Sequence, residues 1–194
     1  MKHIIIEGGD RLGKDTIVKR LCDHFDYKNI TLRHFDKPPK GMSPKETLDF
    51  QFDVFYKEML FVDHIRDNIH GDDWSYHDEI VIWNRSHLGE YVYSQMFRGI
   101  SKKDVSARLR LFEERNLRSN MFLITLTASA QFFLDQEDGN SFSQDLNQKE
   151  MELYLFKEAH ALSLISNKKI IKVNKKNQYR SKDEIFNEVL ELIN

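Results

Sequence analysis

With a single cysteine among its 194 residues, the chain excludes a disulfide framework of its own. Cys22 sits among the apolar positions Ile17, Val18, Leu21 and Phe25, which predicts a buried structural thiol and fits a reducing, cytoplasmic setting. Long apolar runs are missing too. The opening residues MKHIIIEGG carry one short strand-like stretch before glycine, far below a secretory or membrane-spanning segment, so a soluble protein with no membrane partner is expected. Neither sign of charge dominates: 29 Lys and Arg against 31 Asp and Glu leave a formal charge of −2. No basic arm or acidic tail therefore points to nucleic acid or membrane as the main partner, although a local basic groove stays open. The eight histidines lack metal-ligand spacing, and no Ser/His/Asp arrangement, repeat, low-complexity segment or interdomain linker is present. A further gap is local, because no Lys or Arg lies between Arg118 and Lys149.

What is present is an alternation. Short apolar runs at 3–7, 30–35, 80–83, 122–126 and 170–173 read as strands. Helical spacing fills 14–25, 46–69, 88–97, 102–117, 130–134, 148–165 and 182–193. Strands alternating with helices predict an α/β protein, with a five-stranded mainly parallel sheet covered on both faces in three α/β/α layers. One domain over 1–194 is expected, since a core of this size is ordinarily filled once. Two helix starts carry a capping pattern, Ser43-Pro44-Lys45-Glu46 and Ser181-Lys182-Asp183-Glu184. The pair Pro38-Pro39 marks a loop beyond the second strand, on the edge where open α/β sheets bind ligands.

The segment Gly8-Gly9-Asp10-Arg11-Leu12-Gly13-Lys14-Asp15-Thr16 follows the first strand and opens the first helix. That is the context a phosphate-binding loop requires. Gly8, Gly9 and Gly13 would let the backbone fold around phosphate oxygens, and Lys14 would reach the β- and γ-phosphates. The position after Lys14 departs from the pattern: Asp15 stands where a Mg²⁺-ligating hydroxyl is expected, and Thr16 follows one residue late.

The larger unit IIIEGGDRLGKDT resembles the start of thymidylate kinases. A second segment, Ile82-Trp83-Asn84-Arg85-Ser86-His87, resembles both their Asp-Arg-Tyr/His motif and the Glu-Arg-Ser motif of deoxynucleoside kinases. The resemblance implies a P-loop kinase fold with a lid at about 135–147. It also implies ATP as donor, Mg²⁺ as cofactor, and a homodimer through the 46–69 helix. By the same resemblance Asp10 faces the acceptor sugar and Arg85 holds the acceptor phosphate. Glu7 matches the catalytic base of deoxynucleoside kinases, Phe52 or Phe55 would stack the acceptor base, and His87 and Tyr91 would face its pocket. The loop after the fifth strand would hold the donor base.

Phosphoryl transfer also needs an arginine against the charge that builds on the transferred group. In thymidylate kinases it comes from the P-loop or from the lid, and since the acidic, polar stretch 135–143 has none, the resemblance is to the subtype that carries it in the P-loop, here as Arg11. Arg11, Lys14 and Arg85 are thus the candidate catalytic residues. Asn84 lacks the metal-facing carboxylate of its motif, and Asp15 has gained one. Two readings of Asp15 stand: a relocated ligand for Mg²⁺ together with Thr16, or a charge worth about 0.3–1 kcal/mol against the helix dipole.

The expected function is ATP- and Mg²⁺-dependent transfer to a deoxynucleoside monophosphate such as dTMP, in an enzyme similar to thymidylate kinase-like proteins of bacteriophages. Two alternatives remain. One is a kinase acting on a hydroxyl, of a deoxynucleoside or of a hydroxymethylated base in DNA, with Glu7 as base. The other is a nucleotide-binding regulator without catalysis.

Overall fold

The computed structural model describes residues 1–25, 30–34, 38–69, 79–117 and 120–194, without the side chains of 63 and 65–69. The elements run β1 (Lys2–Glu7), α1 (Lys14–His24), β2 (Ile30–His34), α2 (Pro44–Ile69), β3 (Ile80–Asn84), α3 (His87–Arg98), α4 (Lys102–Asn116), β4 (Met121–Thr127), α5 (Ala130–Asp135), α6 (Leu146–Leu162), β5 (Asn167–Lys172), β6 (Asn174–Lys175), β7 (Gln178–Tyr179) and α7 (Lys182–Ile193). The five main strands lie in the order β2-β3-β1-β4-β5, every neighbouring pair parallel. This is the expected α/β architecture.

Successive residues of a strand point to opposite faces, so the two cores can be read from β1 alone. Ile4 and Ile6 belong to one, with Leu21 of α1 and Val189 of α7; Ile5 belongs to the other, with Phe55 of α2, Tyr91 of α3 and Phe156 of α6. The central strands are buried on both faces, which is why they read as unbroken apolar runs. Among the described residues no helix is long and apolar enough to cross a membrane.

Of the local expectations, the first capping pattern held and others changed. The hydroxyl of Ser43 accepts from the Glu46 amide and Glu46 accepts from the Ser43 amide, a complete capping box. Ser181 instead accepts from the Asp183 amide, and Glu184 pairs with Arg180. α6 stops at Leu162 rather than at 165, because the Lys168 ammonium donates to the terminal carbonyls of His160 (2.8 Å) and Ser163 (2.6 Å). β5 accordingly starts earlier, at the polar Asn167, and the hairpin of β6 and β7 was not expected at all. Its strands are two residues each and carry no periodicity to read.

Gly8 decides how closely the phosphate loop approaches the sheet. Its φ is +133°, and a Cβ there would lie 2.7 Å from the Leu126 carbonyl of β4. Gly8→Ala must therefore carry both backbone strain and a clash with main chain, and it should cost about 3 kcal/mol or more. For a chain of this size that corresponds to a melting temperature about 10 °C lower. Thermal unfolding followed by circular dichroism tests this, and an unchanged midpoint would contradict the close approach.

Candidate active site

β1, β3 and β4 all end at one edge of the sheet, and parallel strands place the loops that follow them side by side. The turn after β1 runs from Gly8 to Gly13, which precedes α1 with φ +87° and nothing within 4 Å of where a Cβ would stand. The α1 amides therefore open directly onto a cavity of about 650 Å³. Asp10, Arg11, Lys14, Asp15 and Thr16 of the loop and α1 line it together with Arg85, Asn140, Ser141, Tyr179 and Arg180.

Lys14 is buried and folds back onto its own loop, donating to the carbonyls of Gly8 (2.8 Å) and Gly9 (2.6 Å). Burial first, and the Arg85 charge second, bring its ammonium down to about 8, against the opposing pull of Asp10 and Glu7. An arriving polyphosphate would replace those neutral carbonyls with charge-assisted partners.

Arg11 and Arg85 share an unusual backbone. Their φ angles are 64° and 69°, in the left-handed region that costs a non-glycine residue about 1–3 kcal/mol. Such strain persists where the surroundings enforce it, and both positions show the enforcement. The Arg85 amide donates to the Ile6 carbonyl at 3.0 Å, while the Tyr179 hydroxyl donates to the Arg11 carbonyl. The Arg85 guanidinium pairs with Asp10, whose carboxylate also has the Lys14 ammonium at 4.0 Å. Burial would raise Asp10, but Arg85 and Lys14 together hold it below the usual carboxylate range. The Arg11 guanidinium pairs with Asp138 of the 135–147 segment. An acidic residue of that segment thus faces the loop's arginine.

Asp15 and Asn84, the two departures in the motifs, touch. Asn84 Nδ2 donates to Asp15 Oδ1 at 2.7 Å, leaving Asn84 Oδ1 buried without a partner among the described residues. Glu7 lies deeper, with Oε1 accepting from the Ser86 amide at 2.7 Å and Oε2 likewise unpartnered. Burial pushes the Glu7 carboxyl up, against His87, the Ser86 amide, Lys14 and Arg85. Among the described residues no group of three or more His, Cys, Asp or Glu could enclose a metal by itself. An exposed carboxylate, a neighbouring hydroxyl at Thr16 and an orphaned amide oxygen do suit a hard cation shared with phosphate oxygens.

Besides Glu7, four expected acceptor residues do not reach the cavity. Phe52 and Phe55 meet edge to face at 5.9 Å and pack on Phe112 in the core. His87 is fully buried against the same ring at 4.7 Å, with Nε2 2.8 Å from Glu113 and Nδ1 3.0 Å from the Ser86 hydroxyl. Tyr91 is fully buried and donates to Glu158 at 2.6 Å. On α2 the half-exposed phenylalanine is Phe61, with the Arg33 guanidinium 5.2 Å above its ring. Arg33 pairs with Trp83 in the sheet register, one strand from the Arg85 loop.

Other residues of the site were not legible. Tyr93 donates to the buried Glu152 at 2.8 Å, and its ring lies 5.5 Å from Phe142 of the 135–147 segment. Burial pushes both Tyr93 and Glu152 up. Tyr93 lies six residues beyond the end of the second motif, on α3, and that proximity was its only signal. Glu152 had none, since a glutamate on a helix ordinarily faces solvent.

No protein-family model and no curated protein sequence matches the chain. Solved structures do match, at probability 1.00. The YorR protein of Bacillus subtilis, solved in complex with phosphorylated GDP, aligns over 99% of this chain and 95% of its own at TM-score 0.63 and 18% identity. A thymidylate kinase from Candida albicans covers 99% and 90% at TM-score 0.65 and 14% identity, and one from Ehrlichia chaffeensis 100% and 98% at 0.59 and 14%. The chain has a thymidylate kinase-like P-loop kinase fold.

Proposed function

We propose that this protein is a nucleotide kinase that moves the γ-phosphate of ATP onto the phosphate of a deoxynucleoside monophosphate, dTMP-like, with Mg²⁺ as cofactor. The observation that carries the reading is the pair of arginines with left-handed backbone, Arg11 and Arg85, lining one cavity with Lys14. In the reaction an oxygen of the acceptor phosphate bonds to the γ-phosphorus while the bond to the β,γ-bridging oxygen breaks, and ADP leaves. The attacking oxygen is already ionised, so positioning and charge neutralisation carry the catalysis and no strong base is needed. Lys14 and the loop amides hold the donor phosphates, Arg85 holds the acceptor phosphate, and Arg11 meets the transferring group. Mg²⁺, held by Asp15 and Thr16 with Asn84 Oδ1 beside them, would neutralise the β- and γ-oxygens. Asp10, once Arg85 turns to phosphate, is free to accept from the acceptor sugar.

One observation favours the alternative of a hydroxyl acceptor. Glu7 Oε2 is buried, unpartnered and of raised proton affinity, as a general base would be. Against it, Glu7 does not line the cavity and its other oxygen is committed to Ser86. Purified protein with ATP and Mg²⁺ should release ADP with deoxynucleoside monophosphates, dTMP and dGMP included, and not with deoxynucleosides or hydroxymethylated DNA. Turnover confined to the last two would transfer the role to Glu7. Nucleotide binding with no turnover on any acceptor would leave a regulator.

A further inference from the structure

The acidic segment between α5 and α6 is tied to the phosphate loop at two points of different character. One is inside. Lys149 of α6 is fully buried, with its ammonium 2.5 Å from Glu137 and 4.0 Å above the Phe133 ring. That ring fills the space beside Gly9, where a Cβ would come within 2.3 Å of it. Glu137 in turn organises the turn, its Oε1 accepting from the amides of Gly139 (3.0 Å), Asp138 (3.2 Å) and Ser141 (3.2 Å). Burial would raise the Glu137 carboxyl, yet the Lys149 and Ser141 hydrogen bonds bring it down to about 2. The other tie is outside, between Asp138 and Arg11, whose side chains are 39% and 47% exposed. Contacts therefore run in a closed circuit, from Arg11 to Asp138, Glu137, Lys149, Phe133 and back to the loop at Gly9.

The two ties differ in strength for a physical reason. Breaking a buried pair strands a charge in the interior, whereas an exposed pair is screened and exchanges readily. Asp138 is an anion on the same arginine that a nucleotide phosphate must engage. We propose that Asp138 is an internal competitor for Arg11, and that Lys149 and Glu137 are positioning residues that hold it there. Nucleotide displaces Asp138 at the exposed tie while the buried tie keeps the segment attached. This rests on the assignment of Arg11 to the donor phosphates. It adds that the acidic lid tunes donor affinity without touching the chemistry.

The test uses ATP and Mg²⁺ in calorimetric titrations of the full chain with no acceptor, so it is independent of which acceptor is right. Asp138→Asn should bind ATP about two- to five-fold tighter, the range an exposed ion pair supplies, and the gain should fade at high salt. In turnover assays the ATP KM should fall while kcat stays within about two-fold. Lys149→Met alone strands Glu137 and is expected to unfold readily, so the informative variant is Lys149→Met with Glu137→Gln, which removes both charges of that pair and leaves Glu152 its hydrogen bond from Tyr93. It should reproduce the gain of Asp138→Asn, and the triple variant should show no further gain, since both changes release the same arginine. Lys149→Arg should retain wild-type affinity. Unchanged ATP affinity in Asp138→Asn, or additive gains in the triple variant, would overturn the proposal while leaving the kinase reading intact. Failure of the wild type to bind ATP would overturn the kinase reading itself.

Discussion

Arg11→Gly is expected to lower turnover about a thousand-fold while the fold keeps its stability, a separation few active-site substitutions allow. The reason lies in the backbone. Arg11 holds φ at 64°, which glycine adopts without strain, so the change relieves about 1 kcal/mol and removes only the guanidinium. The Tyr179 hydroxyl donates to the Arg11 carbonyl, which survives the substitution and keeps the loop in place. No cation of the 135–147 segment can take over, for that segment contains none. ATP affinity should fall less than about ten-fold, because Lys14 and the loop amides remain. Arg11→Lys should recover little, since an ammonium cannot span two phosphoryl oxygens as a guanidinium does. Steady-state rates beside ATP titration and thermal unfolding separate these effects. If Arg11→Gly turns over at the wild-type rate, the arginine acts elsewhere and Arg85 inherits the role.

The second large effect concerns the pair Asp15 and Asn84. Asp15→Thr restores the hydroxyl that phosphate loops ordinarily carry, yet it should weaken apparent Mg²⁺ affinity about ten- to a hundred-fold here. The carboxylate removed is the one held by Asn84 Nδ2 at 2.7 Å, and position 84 offers no charge to replace it. Asn84→Asp alone should also fail, for a different reason. It sets two carboxylates at hydrogen-bonding distance, where one must keep a proton unless metal separates them. The double variant Asp15→Thr with Asn84→Asp should recover most of the activity. Mg²⁺ titrations of turnover, and of ATP binding with and without Mg²⁺, follow all three proteins. Wild-type behaviour from Asp15→Thr alone would reduce Asp15 to a helix-start charge.

The two motifs were legible because each is local. A glycine turn between a strand and a helix is spelled within nine residues, and Arg85 sits at the end of an unbroken apolar strand. Strand and helix positions followed from the same short-range periodicity, apart from the ends that depend on caps, such as Leu162 with Lys168. The acceptor side was less legible. Four phenylalanines on α2 look alike in sequence, but only packing buries Phe52 and Phe55 on Phe112 and leaves Phe61 half-exposed. His87 was read as a pocket residue from its place in the motif, and Glu113, 26 residues on, claims it for the interior.

By itself the sequence determined the α/β alternation, the phosphate loop and its missing hydroxyl, because these depend on neighbours a few positions apart. Tertiary structure alone decided what those features meet. Asp15 and Asn84 are 69 residues apart and bonded, and Arg11 and Asp138 are 127 apart and paired. A lysine at position 149 could have been one more surface charge; it is buried because Phe133 of α5 and Glu137 close over it. Burial sets the cost of an unpaired charge, and burial is a property of the packed layers rather than of any short stretch of chain.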